Sequence, residues 1–352
     1  MNKDTIHNQI ENGILYLYSS LSSQGSWSSF ESSRGMSDVW VTGYVASEVG
    51  SLSLNAETKK IIVEFLVSNQ LQDGGWGYKT GFPGDSDSTA TVLLALIALT
   101  GKRQPKDIID QGLKFLDQHF AIDHSGYGTF RLDVVRKILS SNDATCHIGW
   151  TNPHLDVTLN ALQAILKSKR SGYSSYILDT FNQALLADSA WEAYWWTTNT
   201  VCISKAADIL SSIHHQKLRA LLLKECMRLV DCVTESGGWS TDISSSECSF
   251  TTALAIRSLL AFPQRFDMNI ESGVDYLLNC QLSDGSWSSG PILAIPPPAL
   301  TTRYSVKHWR IDQPGFPNVL SDGSRAIVTA VVLQTLFLVA QCYFNKSLKI
   351  EL

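Results

Sequence analysis

The chain has 352 residues, 44% of them hydrophobic and 17% charged, and its 28 Lys and Arg against 33 Asp and Glu leave a net charge of −5. This composition excludes disorder, allows one large or two ordinary domains, and lacks the basic surplus needed to bind a nucleic-acid backbone. Seven cysteines without a CxxC pair exclude a disulfide framework and point to a reducing, cytoplasmic compartment, while ten tryptophans call for a large aromatic core or an aromatic-walled pocket.

Met1 to His7 contain no apolar signal-like segment, and no stretch approaches 18 consecutive apolar residues, so a soluble chain is expected, with peripheral membrane contact left open for substrate uptake. A first amphipathic helix leads to a Gly25-Ser26-Trp27 turn, and an apolar helical segment follows over Asp38 to Val49. The next unit carries Phe65-Leu66-Val67-Ser68-Asn69-Gln70-Leu71-Gln72-Asp73-Gly74-Gly75-Trp76 and then an apolar segment over Asp85 to Leu99. Two weaker turns stand at Gly126-Tyr127-Gly128, before Leu155 to Leu166, and at Ser189-Ala190-Trp191, before Tyr194 to Leu210. Gly237-Gly238-Trp239 precedes Ser249 to Leu260, and Tyr276 to Trp287 repeats the Phe65 to Trp76 pattern before Ser324 to Ala340. Each apolar segment has a Thr near its start and helical spacing, and each turn follows an amphipathic helix. Gly suits a C-cap at the outer helices and Asp or Ser an N-cap at the inner ones.

Six helical hairpins, none able to bury a core alone, are expected to stack and close into an all-α, single α6/α6 toroid over residues 1–352. In that frame the Gln-x3-Gly-x-Trp units are scaffold: the Gln amide meets exposed groups at a helix end while the indole packs over the turn.

Gln70 to Trp76 and Gln281 to Trp287 resemble the QW repeats of squalene-hopene cyclases and other class II terpene cyclases. Gly84-Asp85-Ser86-Asp87-Ser88-Thr89-Ala90 resembles that family's Asp-x-Asp-Asp-Thr-Ala signature, with Asp87 at the middle Asp, the proton donor, and Ser88 in place of the last Asp. Cys146 to Asn160 resembles the hopene-cyclase stretch in which a Cys and then Asp-Val-Thr-x-His supply polar partners to the catalytic Asp; Asn160 takes the His position and Cys146 stands near the Cys position. The resemblance implies a monodomain class II cyclase, similar to meroterpenoid cyclases, needing no cofactor and no obligatory protein partner.

The chemistry has its own requirements. An alkene is a very weak base, so its proton donor must be a carboxylic acid kept protonated by burial, with hydrogen-bond donors and a helix N-terminus stabilising the carboxylate it becomes. Asp85 as N-cap puts Asp87 in the first helical turn. The carbocation that follows needs dry walls of π faces, for which Trp40, Tyr44, Tyr194, Trp195, Trp196 and Phe250, all near inner-helix starts, are the candidates.

No metal site is expected: His214 and His215 are adjacent, His119 and His124 are five apart, and neither spacing places two ligands on one helical face. Protein prenyltransferase β subunits share the toroid but carry an Asp-x-Cys pair, and Ser246-Glu247-Cys248 lacks the Asp. The Pro-rich connection between Gly290 and Asp322 has an apolar half, Ile292 to Leu300, and a basic half with Arg303, Lys307, His308, Trp309 and Arg310. It reads as a lid or mouth that holds an anionic head group, with Arg303, Lys307 and Arg310 meeting the charge and Trp309 covering an aromatic ring. The expected substrate is a prenylated aromatic acid, with a prenyl diphosphate or a free polyprene as the alternative for a class II cyclase, and the rival readings are a carbohydrate-active α6/α6 enzyme and a non-enzymatic lipid- or peptide-binding repeat module. A closed apolar pocket above Asp87 would favour the cyclase over both.

Overall fold

The computed structural model describes residues 1–50, 52, 54–121, 125–140, 144–169, 174–187 and 191–344. Over these residues the chain alternates outward and inward. The first two hairpins are α1 (Lys3–Ser20) with α2 (Val39–Val49) and α3 (Ala56–Ser68) with α4 (Ser86–Thr100). The third begins with α5 (Lys106–Asp117), passes through the short α6 (Leu132–Leu139) and α7 (Ile148–Thr151), and returns along α8 (Leu155–Ser168). Then follow α9 (Ser174–Ala187) with α10 (Thr200–Ser212), α11 (Gln216–Asp231) with α12 (Ser249–Leu259), and α13 (Pro263–Asn279) with α14 (Ala326–Phe344).

Helices α2, α4, α8, α10, α12 and α14 each contact the next, and α14 returns to α2, so the inner ring closes. They are buried on nearly every face, α14 from Ala326 to Leu333 without interruption, as expected of helices apolar all round. By length and composition α14 could cross a membrane; in the toroid it lies among α1, α2 and α12. The outer helices bury one stripe each, as α5 does with Ile109, Gly112, Leu113 and Leu116.

One hydrogen-bonding unit joins the rings. The indole Nε1 of Trp27, Trp76, Trp239 and Trp287 donates to a backbone carbonyl ten residues earlier, on Leu17, Leu66, Leu229 and Leu277, at 2.7–2.9 Å. The backbone N–H of the same tryptophans donates to Thr42, Thr89, Thr252 and Thr329 on the inner helices. Tyr127 makes the equivalent bond to Thr158, so the degenerate third unit keeps the fixture without the indole. Gln70 donates to Gly74 and to Ile108 of the next outer helix. Gln281 does the same with Gly285 and Gln9, joining α13 to α1 across the ring closure. Of the fourth turn, Ser189 and Ala190 lie outside the described residues, as does His124.

The structure changes three local expectations. Gly25, Gly74, Gly237 and Gly285 share φ between +83° and +91°, the left-handed region that favours glycine. They sit in the turns, however, and the outer helices end earlier, at Ser20, Ser68, Asp231 and Asn279. Asp38 and Asp85 cap inner helices with their side chains, whereas Ser249 is already inside α12 behind Cys248.

Residues Tyr194 to Asn199 are not helical. The backbone of Trp195 and Thr197 bonds to Ala294 and Ile292 of β5 (Pro291–Ile295), because β-prone aromatic and Thr residues meet an open strand edge. The first part of the apolar half of the long connection, Ile292 to Ile295, is therefore strand, and Pro296 to Leu300 are loop. Strand β5 pairs with β7 (Asn318–Ser321), which also pairs with β6 (Arg310–Ile311). Smaller ribbons are β1 (Ser29–Ser32) with β2 (Gly35–Ser37) and β3 (Trp76–Gly77) with β4 (Gly84–Asp85). All of these lie before inner-helix N-termini.

If the indole unit carries ring closure, Thr329→Val should destabilise by about 1–3 kcal/mol, since it strands the buried Trp287 N–H, while Thr329→Ser stays near wild type. Trp287→Ala should lose about 3–5 kcal/mol. Denaturant unfolding measures all three.

Candidate active site

Trp76 stands directly opposite Asp85 in the β3–β4 ribbon, so the turn fixture also sets the start of α4. Asp85 caps that helix: its two oxygens accept from the Ser88 N–H and Oγ–H, each at 2.7 Å. Ser88, where a third carboxylate would add like charge, thus clamps the cap. Asp87 follows in the first turn, where the N-terminal helix dipole favours its carboxylate.

Asp87 Oδ2 accepts from Trp40 Nε1 at 2.9 Å, and Oδ1 accepts from Asn160 Nδ2 at 2.9 Å. The contact expected between Asp87 and Asn160 is therefore present, across adjacent inner helices. An indole only donates, and the Asn160 oxygen faces Lys205 Nζ at 2.8 Å, so neither partner accepts the acid proton. Burial pushes the Asp87 pKa up; the Lys205 charge and the bonds from Trp40 and Asn160 oppose it only in part. Burial likewise raises Asp85 to about 7. It also raises Asp156 to about 7, with Asp87 nearby adding repulsion. Asp156 Oδ2 accepts from the Trp195 N–H at 2.9 Å, whereas Oδ1 is buried with no hydrogen-bond partner among the described residues.

In front of Asp87 opens a cavity of about 1120 Å³, its mouth included, walled by Trp40, Tyr78, Phe82, Phe130, Trp150, Trp195, Trp196, Leu293, Ile295 and Phe316. Its outer rim carries Ser32, Ser33, Arg34, Gln313 and Gly315. Asp85 and Asp87 are its acidic lining residues.

The expected wall residues divide into two groups. Trp40, Trp195 and Trp196 line this cavity, whereas Tyr44 and Phe250 back Trp196 at ring distances of 5.5 and 5.2 Å. Tyr194 stacks on His154 at 3.7 Å and donates to the Leu300 carbonyl, behind the wall. Cys146 is exposed in a short 3-10 turn over Ala144–His147 and lines no part of the cavity. The remaining walls, Tyr78, Phe82, Phe130, Trp150 and Phe316, went unidentified in the sequence, although Trp150 lies inside the Cys146 to Asn160 stretch.

The basic half of the long connection does not line the cavity either. Arg303 is 2% exposed and paired with Asp242, with Asn199 as a further acceptor, because a buried guanidinium requires a counter-charge. Lys307 is exposed and Trp309 half-buried. Arg310 donates to the carbonyls of Pro314 and Phe316 in its own loop. The cation among the described lining residues is Arg34, on the β1–β2 turn, whose guanidinium donates to the Ile138 carbonyl at 2.6 Å. Neither Arg34 nor Lys205 carried a sequence signal: Arg34 lies in a connection between helices, and Lys205 lies in the Tyr194 to Leu210 segment but belongs to no motif.

The raised carboxyls have a consequence for stability. From the ordinary 3.8 up to about 7, Asp85 and Asp156 hold protons in the folded chain that the unfolded chain has released, so their stabilisation is complete below about pH 4 and is lost as pH rises through 7. The melting temperature should therefore fall by a few degrees between pH 5 and pH 8, and Asp156→Asn should flatten that slope. A stability that rises with pH over this interval, measured by calorimetry, would contradict it.

Residues 9–293 match the prenyltransferase alpha-alpha toroid domain. A probable squalene–hopene cyclase from Sinorhizobium fredii is 23% identical over 296 residues, 72% of this chain but 44% of that protein, so the chain spans less than half the length of that relative. A protein from Actinoplanes superimposes with a TM-score of 0.83 at 25% identity, covering 95% of this chain and 99% of its own. A variant of a type II terpene cyclase from Scytonema, solved with the product merosterolic acid A, superimposes with a TM-score of 0.84 at 21% identity, covering 97% of this chain and 98% of its own. A variant of the same cyclase, solved with its substrate geranylgeranyl dihydroxybenzoate, gives the same score and identity over 97% of this chain and 99% of its own. The closed double ring, the indole hydrogen bonds that join it and this match over residues 9–293 agree: the chain belongs to the prenyltransferase alpha-alpha toroid domain family and has the fold of type II terpene cyclases.

Proposed function

We propose that the protein is a class II terpene cyclase that protonates the terminal alkene of a linear isoprenoid and folds it into rings. The observation that carries this reading is a desolvated carboxyl, Asp87, facing an aromatic cavity, with both of its partners acting as donors. In the first step the Asp87 O–H bond breaks and the proton goes to the less substituted alkene carbon. The tertiary cation left behind is attacked by the next double bond, and the sequence ends when a carbon next to the last cationic centre gives its proton to water at the cavity mouth and Asp87 takes up a proton from solvent, so that substrate and product are isomers. The trajectory runs past Trp40, Trp196 and Trp195, whose π faces each stabilise a desolvated cation by about 2 kcal/mol. The bonds from Trp40 and Asn160 strengthen as Asp87 becomes a carboxylate, so they stabilise the transition state more than the resting acid.

For the substrate, a single arginine at the rim suits one carboxylate better than a diphosphate. The Scytonema cyclase binds a prenylated dihydroxybenzoate. We infer a prenylated aromatic acid whose carboxylate meets Arg34, with Phe316, Trp150 and Ile138 near the aromatic ring and the prenyl tail directed inward. An open polar groove, as a carbohydrate enzyme would need, or a filled barrel, as a binding module would have, is not what Asp87 faces.

Asp87→Asn should fold normally and lose about 10³-fold or more in cyclisation, followed by mass spectrometry of isomerised product, because the amide has no proton acidic enough to transfer. Near-normal product from that variant would end the reading. Asp85→Asn should be milder, since its two acceptor bonds cap the helix. Arg34→Ala should raise KM about tenfold for acid-headed substrates and leave a neutral prenyl arene unaffected.

A further inference from the structure

Behind Asp87 lies a second cavity, about 1310 Å³ with its opening included, lined by side chains of the inner helices from Thr91, Asn160 and Lys205 toward their C-terminal ends. Its walls carry two ion pairs, Arg257 with Glu48 at 2.7 Å and Lys167 with Asp208 at 2.8 Å. Lys205 of α10 lines it too, where the two acidic residues are already engaged by other cations. Its Nζ donates instead to Asn160 Oδ1 at 2.8 Å and, more weakly, to Gln163 Oε1 at 3.5 Å. Gln163 is in turn held by Asp208, which accepts from its Nε2 at 2.7 Å.

A side-chain amide can turn over, exchanging its oxygen and nitrogen, and the two poses do opposite things to a neighbouring acid. With nitrogen forward, Asn160 donates to Asp87 and leaves the acid proton for the front cavity. With oxygen forward, it would accept that proton and hold it away from any alkene. An ammonium has three donors and no acceptor, so only the first pose satisfies Lys205. Thr91 Oγ1, 2.9 Å from Asn160 Nδ2, accepts the other N–H in the same pose.

We propose that Lys205 is a positioning residue for the acid: through Asn160 it locks the amide nitrogen toward Asp87, and from the rear cavity it supplies the positive charge that stabilises the carboxylate left by proton transfer. The proposal rests on the cyclase reading for its catalytic meaning, although the geometry of the lock does not depend on it. The ionisable groups around the pair are Asp85 on α4, Tyr44 and Glu48 on α2, Asp156 and Lys167 on α8, Cys202 and Asp208 on α10, and Arg257 on α12. Glu48 and Asp208 oppose the Lys205 charge at Asp87, but each already pairs with another cation.

The test replaces Lys205 by Met, which keeps the length of the chain without its charge, and by Arg, which keeps the charge. Asp87 is titrated in each substrate-free protein through its carboxyl infrared band, assigned by its loss in Asp87→Asn. Lys205→Met should move the Asp87 midpoint up by about one pH unit or more, and Lys205→Arg should leave it near wild type. In turnover, Lys205→Met should lower kcat about tenfold to a hundredfold at constant KM, while the alkaline limb of its pH profile moves upward. Damage to packing alone would lower kcat without moving that limb. An unchanged Asp87 midpoint in a folded Lys205→Met protein overturns the proposal. If the midpoint moves but wild-type protein turns over no isoprenoid, the cyclase reading falls and the coupling of Lys205 to Asp87 survives.

Discussion

The hydrogen bond from an indole N–H to a carbonyl ten residues back is the constraint on which this molecule depends. Among the described residues it occurs four times, at Trp27, Trp76, Trp239 and Trp287, and at each the same residue's backbone N–H reaches a threonine of the following inner helix. One residue thereby ties the end of an outer helix to the first turn of an inner one. Repeated around a closed ring, the tie brings inner-helix N-termini to one end of the toroid and leaves the connections there free to fold over that end. The small strands and short helices that wall the front cavity are those connections.

At Asp87 two effects of opposite sign meet. Removing a carboxyl from water favours its neutral form, whereas Trp40, Asn160 and Lys205 favour the anion; the balance lies on the neutral side. Either effect alone would make a poor donor. Burial without partners would give an acid too weak to release its proton, and partners without burial would leave a carboxylate with nothing to give. The neighbouring Asp85 and Asp156 are raised mainly by their own burial and further by the Asp87 charge.

Features set by short spacing were readable in the chain. The QW turns, the six hairpins and the Asp85-x-Asp87 start of α4 depend on residues within a dozen positions, and the structure keeps them. Asn160 was legible because its stretch could be matched to a known pattern. Features set by distant partners were not. Arg303 looks like a surface cation until Asp242, some sixty residues earlier, is seen to bury it. Residues 194–199 read as helix until β5, about a hundred residues later, offers them an edge. Lys205 bears no mark at all, since its meaning comes only from the side chain of a neighbouring helix.

Asp87 lies in a partition between two unlike chambers. The front chamber takes its shape mostly from connecting segments, including the β1–β2 turn, α6 and the β5–β7 sheet, while the rear one is cut from the inner helices themselves. The shape of the front chamber and the proton affinity of Asp87 thus rest on different parts of the chain, the first mostly on connecting segments and the second on side chains of the inner helices.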